Sequence, residues 1–313
     1  MTGWRIAGRV VQAASAAALA GACVLSARQV ARVHEGWALD ALGWAALLMV
    51  VQVAAMAAGW GALGHGWWTE VGRGAAVRSF VAGWAARYVP GPPTGPAGKL
   101  VVLRTSGMPA ERVVAMLWVD QAAQLAAAVA VPSLLALSAA EGPWRWLAPA
   151  GTVAAGAIMV LATRPRLVRR LSRWPGRGLT PGTAPAPAAT WTAFAAYLLG
   201  GLLAAAAFHV TAVVVSPWPV GRWDDAMLAF SVASLAGFLT PFAPSGAGVR
   251  ETVIVALSGG ELGATEALTV AVVARATAVA VDGALLAGYW LTVRLPTGRF
   301  ARARRATASN RRW

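Results

Sequence analysis

Cysteine is nearly missing from this chain of 313 residues: Cys23 stands alone, so no internal disulfide is available. Histidine is scarce too, with three residues, and one thiol beside them gives no basis for a metal site or a bound cofactor. Charge is the third shortage. Asp, Glu, Lys and Arg make up 12% of the residues, against about 25% in soluble domains, too few to cover a water-facing surface of this size. These shortages exclude a disulfide scaffold, a disordered chain and a large soluble catalytic domain hung on an anchor. What fills the sequence instead is apolar, with 58% hydrophobic residues and a mean hydropathy of +0.59. The composition is that of an all-α polytopic membrane protein. Acidic residues are the rarest charges, 12 against 27 basic ones, which leaves a net charge of +15.

A helix needs about 20 apolar residues to span a bilayer. Six stretches qualify, at 10–27, 38–62, 113–137, 144–162, 191–216 and 266–293. Two further apolar stretches, 79–103 and 226–258, are broken midway by Pro/Gly clusters. Each half is short for a span. Backbone freed by such a break is tolerated at membrane depth only inside protein or against a water-filled cavity. Two re-entrant helical hairpins are therefore expected, with two full spans each as the competing reading.

Arginine collects in 163–190 and in the tail after 293, and cytoplasmic loops concentrate Arg and Lys. Six spans with both hairpins re-entrant place both segments, and both termini, inside. The inner segments then hold 19 basic and 2 acidic residues, the outer loops 4 basic and 7 acidic, and the membrane stretches 4 basic and 3 acidic. The basic excess thus reflects orientation and attraction to anionic inner-leaflet lipids at the Arg clusters; no nucleic-acid role is required. The expected organisation is one integral membrane domain over 1–300, with halves at 1–162 and 191–295. A cytoplasmic linker at 163–190 joins them, and 296–313 form a basic tail. Ala20-Gly21-Ala22-Cys23 lacks the first aliphatic residue of a lipoprotein signal, so 10–27 is expected to stay as an uncleaved helix.

The two broken stretches resemble each other. Pro90-Gly91-Pro92-Pro93-Thr94-Gly95-Pro96-Ala97-Gly98-Lys99 lies over Pro241-Phe242-Ala243-Pro244-Ser245-Gly246-Ala247-Gly248-Val249-Arg250 at an offset of 151. Glu111 and Asp120 align with Glu266 and Arg275 at an offset of 155. Three spans separate the hairpins, an odd number, so the repeat is inverted. Such repeats build secondary transporters whose substrate site lies near the midplane between broken helices.

The breaks carry chemistry. Pro90, Pro93, Pro241 and Pro244 interrupt the helices, and Thr94-Gly95 and Ser245-Gly246 follow as prospective caps. A helix restarting there aims free N–H groups and the positive end of its dipole at a headgroup phosphate. Arg87, Lys99, Gly248, Arg250 and Glu251 complete the expected headgroup site. Asp120, Arg275 and Asp282 form an expected polar network at the midplane, in which the repeat sets Asp120 opposite Arg275. Intramembrane charges are costly enough to be functional by default. Asp120, Glu251 and Asp282 are the candidate proton carriers, since no nucleotide site exists: Gly98-Lys99 ends like a P-loop, but Pro93 takes its first glycine place and Leu100 its Ser/Thr place. His34-Glu35 has no second histidine at the metalloprotease spacing, and no Ser–His–Asp set is present.

The run Leu235-Ala236-Gly237-Phe238, continued by Pro241 to Glu251, resembles the signature of the lysylphosphatidylglycerol synthetase transmembrane-region family, which carries a P-G/S-G-x-G-x-R-E type segment after a glycine-containing helix. Arg87-Tyr88-Val89-Pro90-Gly91, with Gly107-Met108 and a helix starting near Glu111, resembles its first motif, and Arg275 fits the arginine usual on the following helix. The resemblance runs over residues 10–295 and implies a flippase region standing without the aminoacyl-transferase domain of two-part members. Where the family often shows Glu-Arg and then Asp, this chain has Asp120-Gln121 and later Gln124. A cationic lysyl headgroup would want carboxylates, and few remain.

The expectation is a translocase in the cell membrane moving an anionic or aminoacylated phospholipid, or a lipid-linked glycan, between leaflets. A membrane-embedded transferase on a lipid-linked substrate, or a non-transporting accessory subunit of a lipid-modifying complex, are the alternatives. A homodimer or a partner lipid-modifying enzyme are the expected associations.

Overall fold

The computed structural model describes residues 36–89, 94–138, 144–171, 184–216, 218–219, 221–240 and 244–294. Among them every regular element is helical. In chain order these are α1 (Gly36–Leu63), α2 (Trp68–Val71), α3 (Arg73–Ala86), α4 (Thr94–Thr105), α5 (Ala110–Ser138), α6 (Trp144–Ala162) and α7 (Pro165–Leu171). Then come α8 (Pro187–Val215), α9 (Trp223–Phe238), one 3-10 turn over Pro244–Gly246, α10 (Val249–Leu262) and α11 (Ala264–Arg294).

Four of these helices, α1, α5, α8 and α11, are long and apolar enough to cross a membrane. They coincide with four of the six expected spans. The stretch 144–162 is helical as α6, although its apolar part, 148–162, is shorter. The first expected span, 10–27, lies outside the described residues, as do the basic tail from 296 and residues 172–183 of the linker. The physical reason for these helices is plain in their sequences. Ala, Leu and Val fill all faces, as suits helices with lipid on one side and protein on the other. Trp44, Val153, Leu137 and Leu291 are more than half exposed on the outside of the bundle.

Both broken stretches fold as pairs of short helices. At 1.5 Å per residue, α3 and α4 are about 21 and 18 Å long, and α9 and α10 about 24 and 21 Å. All fall short of the roughly 30 Å hydrocarbon core. Within each pair the two helices pack on each other, α3 on α4 and α9 on α10. The second helix of each pair passes through a positive-φ glycine, Gly107 at +95° or Gly263 at +88°, into a long helix. Apart from the four-residue α2, a long, short, short, long order thus occurs twice, once from α1 to α5 and once from α8 to α11. The two sets are interleaved: α1 lies along α8, α5 packs on both α8 and α9, and α11 touches α1 and α8.

Candidate functional site

A cavity of about 480 Å³ opens where the two sets meet. Its charged lining is Arg87, Lys99, Arg250, Glu251 and Arg275, four cations and one acid, with Thr94, Gly95, Ser245 and Gly246 beside them. The breaks bring these residues together because both helix pairs end on the same space.

Lys99 is buried at 7% exposure and its Nζ lies 2.7 Å from Oδ2 of the fully buried Asp120. The Tyr197 hydroxyl on α8 donates to Oδ1 of the same carboxylate at 2.5 Å, and Gln121 donates to Oδ2 at 3.2 Å. The Lys99 ammonium also sits 3.9 Å from the Trp60 ring centroid, a cation–π contact. Trp60 is held in turn by donating to Ser79 Oγ at 3.0 Å. Every charge here is paired and bonded, which is the condition for burying an ion pair without a large net penalty.

In the second set the polarity is reversed. Glu251 on α10 accepts from Arg275 of α11 at 2.8 Å, and its other oxygen accepts the Gly248 N–H at 2.7 Å. The expected Asp120–Arg275 pair is therefore not formed. The two residues do hold equivalent places on the helices that follow the breaks, but each pairs within its own set, where an opposite charge lies closer. Asp282 on α11 joins the two sets instead. It pairs with Arg87 and accepts from the Tyr88 hydroxyl, and Trp84 Nε1 donates to it at 2.9 Å. The Arg87 guanidinium lies 3.8 Å from the Trp84 ring centroid. Asp120 and Asp282 do not line the cavity; they stand behind it and fix the cations that do.

Arg250 is different. Among the described residues it makes no ion pair, and its Nε is buried without a hydrogen-bond partner. Its stem passes between two glycines. A Cβ on Gly237 of α9 would lie 2.9 Å from Arg250 Nε, and one on Gly246 would lie 2.9 Å from Gly237 Cα. The first set repeats the device, since a Cβ on Gly83 of α3 would meet Lys99 Cγ at 2.6 Å and the Gly95 carbonyl at 2.9 Å.

The expected caps are corrected by the geometry. Thr94 is the first residue of α4, and its hydroxyl donates to the Val89 carbonyl at 3.3 Å, closing the break rather than capping the helix. Ser245 sits in the left-handed region at φ 51°, inside the 3-10 turn that Pro244 begins, and the N-cap of α10 falls to Gly248 at φ 82°. Gly248 is exposed and outside the lining, so it serves α10 and not the cavity. A left-handed Ser beside two positive-φ glycines is a costly backbone of the kind that gathers at functional sites. Pro90, Pro93 and Pro241 lie outside the described residues.

No protein-family model matches the chain, and no curated protein matches it. The site has to be read from its own chemistry. Among the described residues no three His, Cys, Asp or Glu side chains are grouped to hold a metal ion. Trp60, Trp84, Tyr197 and Gly83 were not among the residues singled out from sequence, and Tyr88 and Gly237 stood there only as members of motif runs, with no role assigned. The glycines carried a weak signal, as they interrupt otherwise Ala-rich helices. The aromatics carried none, because tryptophan is frequent throughout this chain, with 16 residues.

Proposed function

We propose that the protein is a translocase for a lipid with an anionic, phosphate-bearing headgroup. The observation that carries this reading is Arg250, half-buried, its Nε enclosed without a hydrogen-bond partner and its guanidinium without an ion pair among the described residues, on a cavity lined by four cations and one acid. An isolated buried charge is expensive, and an anion that completes the site would offset that cost. The short paired helices support two re-entrant hairpins, and the doubled order of a long helix, two short paired ones and a second long helix supports a repeat; the distribution of arginine along the sequence supports the inverted, six-span form with both termini cytoplasmic. In this arrangement acyl tails stay in lipid while the headgroup passes between the two sets. The resemblance to the lysylphosphatidylglycerol synthetase transmembrane region agrees with this, Arg250 and Glu251 being its motif residues in this chain.

The test is lipid movement in proteoliposomes, read by chemical quenching of an outer-leaflet fluorescent anionic phospholipid. Wild-type protein makes the inner-leaflet pool accessible. Arg250→Ala slows this at least tenfold, and Glu251→Gln slows it as well, while both variants keep the wild-type elution profile and helical spectrum. A wild-type protein that moves no lipid removes the translocase reading; unchanged movement in both variants removes the site.

A further inference from the structure

Five buried side-chain polar atoms lack a hydrogen-bond partner among the described residues, and three of them belong to residues lining this one cavity: Arg87 Nε, Arg250 Nε and Ser234 Oγ. Buried polar atoms are nearly always bonded, so such a cluster marks where a ligand's acceptors and hydroxyls sit. Arg87 comes from the first set of helices and Arg250 from the second, and both line the one cavity, where like charges repel. An anion between them would relieve that repulsion.

The charge count sets how much anion. All seven charges expected within the membrane gather here: Arg87, Lys99, Arg250 and Arg275 against Asp120, Glu251 and Asp282. Residues 90–93 and 241–243, which complete the breaks in the chain, carry no charged side chain. The cluster is +1. A phosphodiester, with one negative charge, neutralises it; a phosphomonoester, at about −1.5 to −2, or a pyrophosphate overshoots. The remainder of the headgroup is constrained by the same lining. Glu251 is the sole carboxylate among the described lining residues, and Arg275 and the Gly248 N–H already occupy both of its oxygens. No unpaired acid is left among the described lining residues to receive an ammonium. Neutral hydrogen-bonding groups are present in number: Gln52, Gln121, Gln124, Ser231 and Ser234.

Resting on the translocase reading for its setting, we infer that the cavity selects a lipid phosphodiester whose headgroup is uncharged and hydroxylated, a glycerol or a sugar, and rejects amine-bearing and pyrophosphate-linked lipids. The phosphate lies between Arg87 and Arg250, and the hydroxyls face the glutamines and serines.

The experiment uses the full chain with four lipid classes: phosphatidylglycerol, a short polyprenyl phosphosugar, an amine-bearing pair (phosphatidylethanolamine and lysyl-phosphatidylglycerol) and a polyprenyl pyrophosphate sugar. Binding is read by native mass spectrometry and movement by leaflet accessibility. At least one of the first two binds tenfold more strongly than the amine-bearing and pyrophosphate lipids, and which one does distinguishes a glycerol from a glycosyl source. Glu251→Gln, which raises the cluster to +2, shifts preference toward the pyrophosphate lipid. Equal or stronger binding of an amine-bearing or pyrophosphate lipid by wild-type protein, or binding of none, overturns the inference. Selective binding without movement would instead overturn the translocase reading and leave the headgroup assignment standing.

Discussion

At the scale of single residues, the site depends on what is missing from three positions. Gly237 and Gly246 leave the gap through which the Arg250 stem reaches the cavity, and Gly83 does the same for Lys99. Gly237→Ala puts a methyl group 2.9 Å from Arg250 Nε and 3.0 Å from its Cγ. Either the guanidinium or the Gly246 backbone must shift, an overpacking cost of about 1–3 kcal/mol. Lipid movement should fall about tenfold with the fold retained, whereas Gly156→Ala, inside α6 with nothing within 4 Å of the added atom, should leave movement unchanged and raise stability slightly, by about 0.5–1 kcal/mol. Side-by-side transport and melting measurements check this. Arg250, Lys99 and Glu251 were legible in the sequence because a charge in an apolar run has few innocent explanations. The Tyr197 and Trp84 contacts were not, because their partners lie 77 and 198 residues away and nothing local distinguishes them from the other aromatics.

At the scale of helices, each break is followed by one ion pair between the restarted helix and the long helix after it. In the first set the cation is on α4 and the acid on α5; in the second the acid is on α10 and the cation on α11. The alignment placed Asp120 over Arg275 correctly, but alignment gives equivalence and not contact, and the nearer partner won in both sets. The helix boundaries themselves were legible to within a few residues, since length and apolarity decide them. The caps were not, because the Ser245 backbone turns left-handed and moves the start of α10 on to Gly248. The Lys99–Asp120 pair is buried, so removing one member strands the other. Lys99→Met alone should destabilise the protein by about 3–5 kcal/mol, whereas adding Asp120→Asn should recover most of that loss. Denaturation of the detergent-solubilised variants reads the difference, and additive losses would show that the two residues do not act as a pair.

At the scale of the molecule, two buried polar contacts tie the sets of helices together on either side of the cavity: Tyr197 to Asp120, and Arg87, Tyr88 and Trp84 to Asp282. Alternate opening of the cavity to the two leaflets would have to exchange these contacts, which gives the intramembrane acids a role beyond neutralising charge. The class of the molecule was legible from composition, and the scarcity of charge located the site, since all seven intramembrane charges meet in one place. How they pair depended on which helices touch, which hydrophobicity does not encode. The central claim is that a lipid headgroup enters this space while its tails do not. Photo-crosslinking in liposomes tests it most directly, with an anionic phospholipid bearing the reactive group either in the headgroup or at the acyl terminus. The headgroup probe should label peptides containing 83–99 and 237–251, and lose this labelling in Arg250→Ala. The tail probe should label the outward faces that carry Trp44 and Leu291. Headgroup labelling confined to those outward faces, and unchanged by Arg250→Ala, would contradict the account.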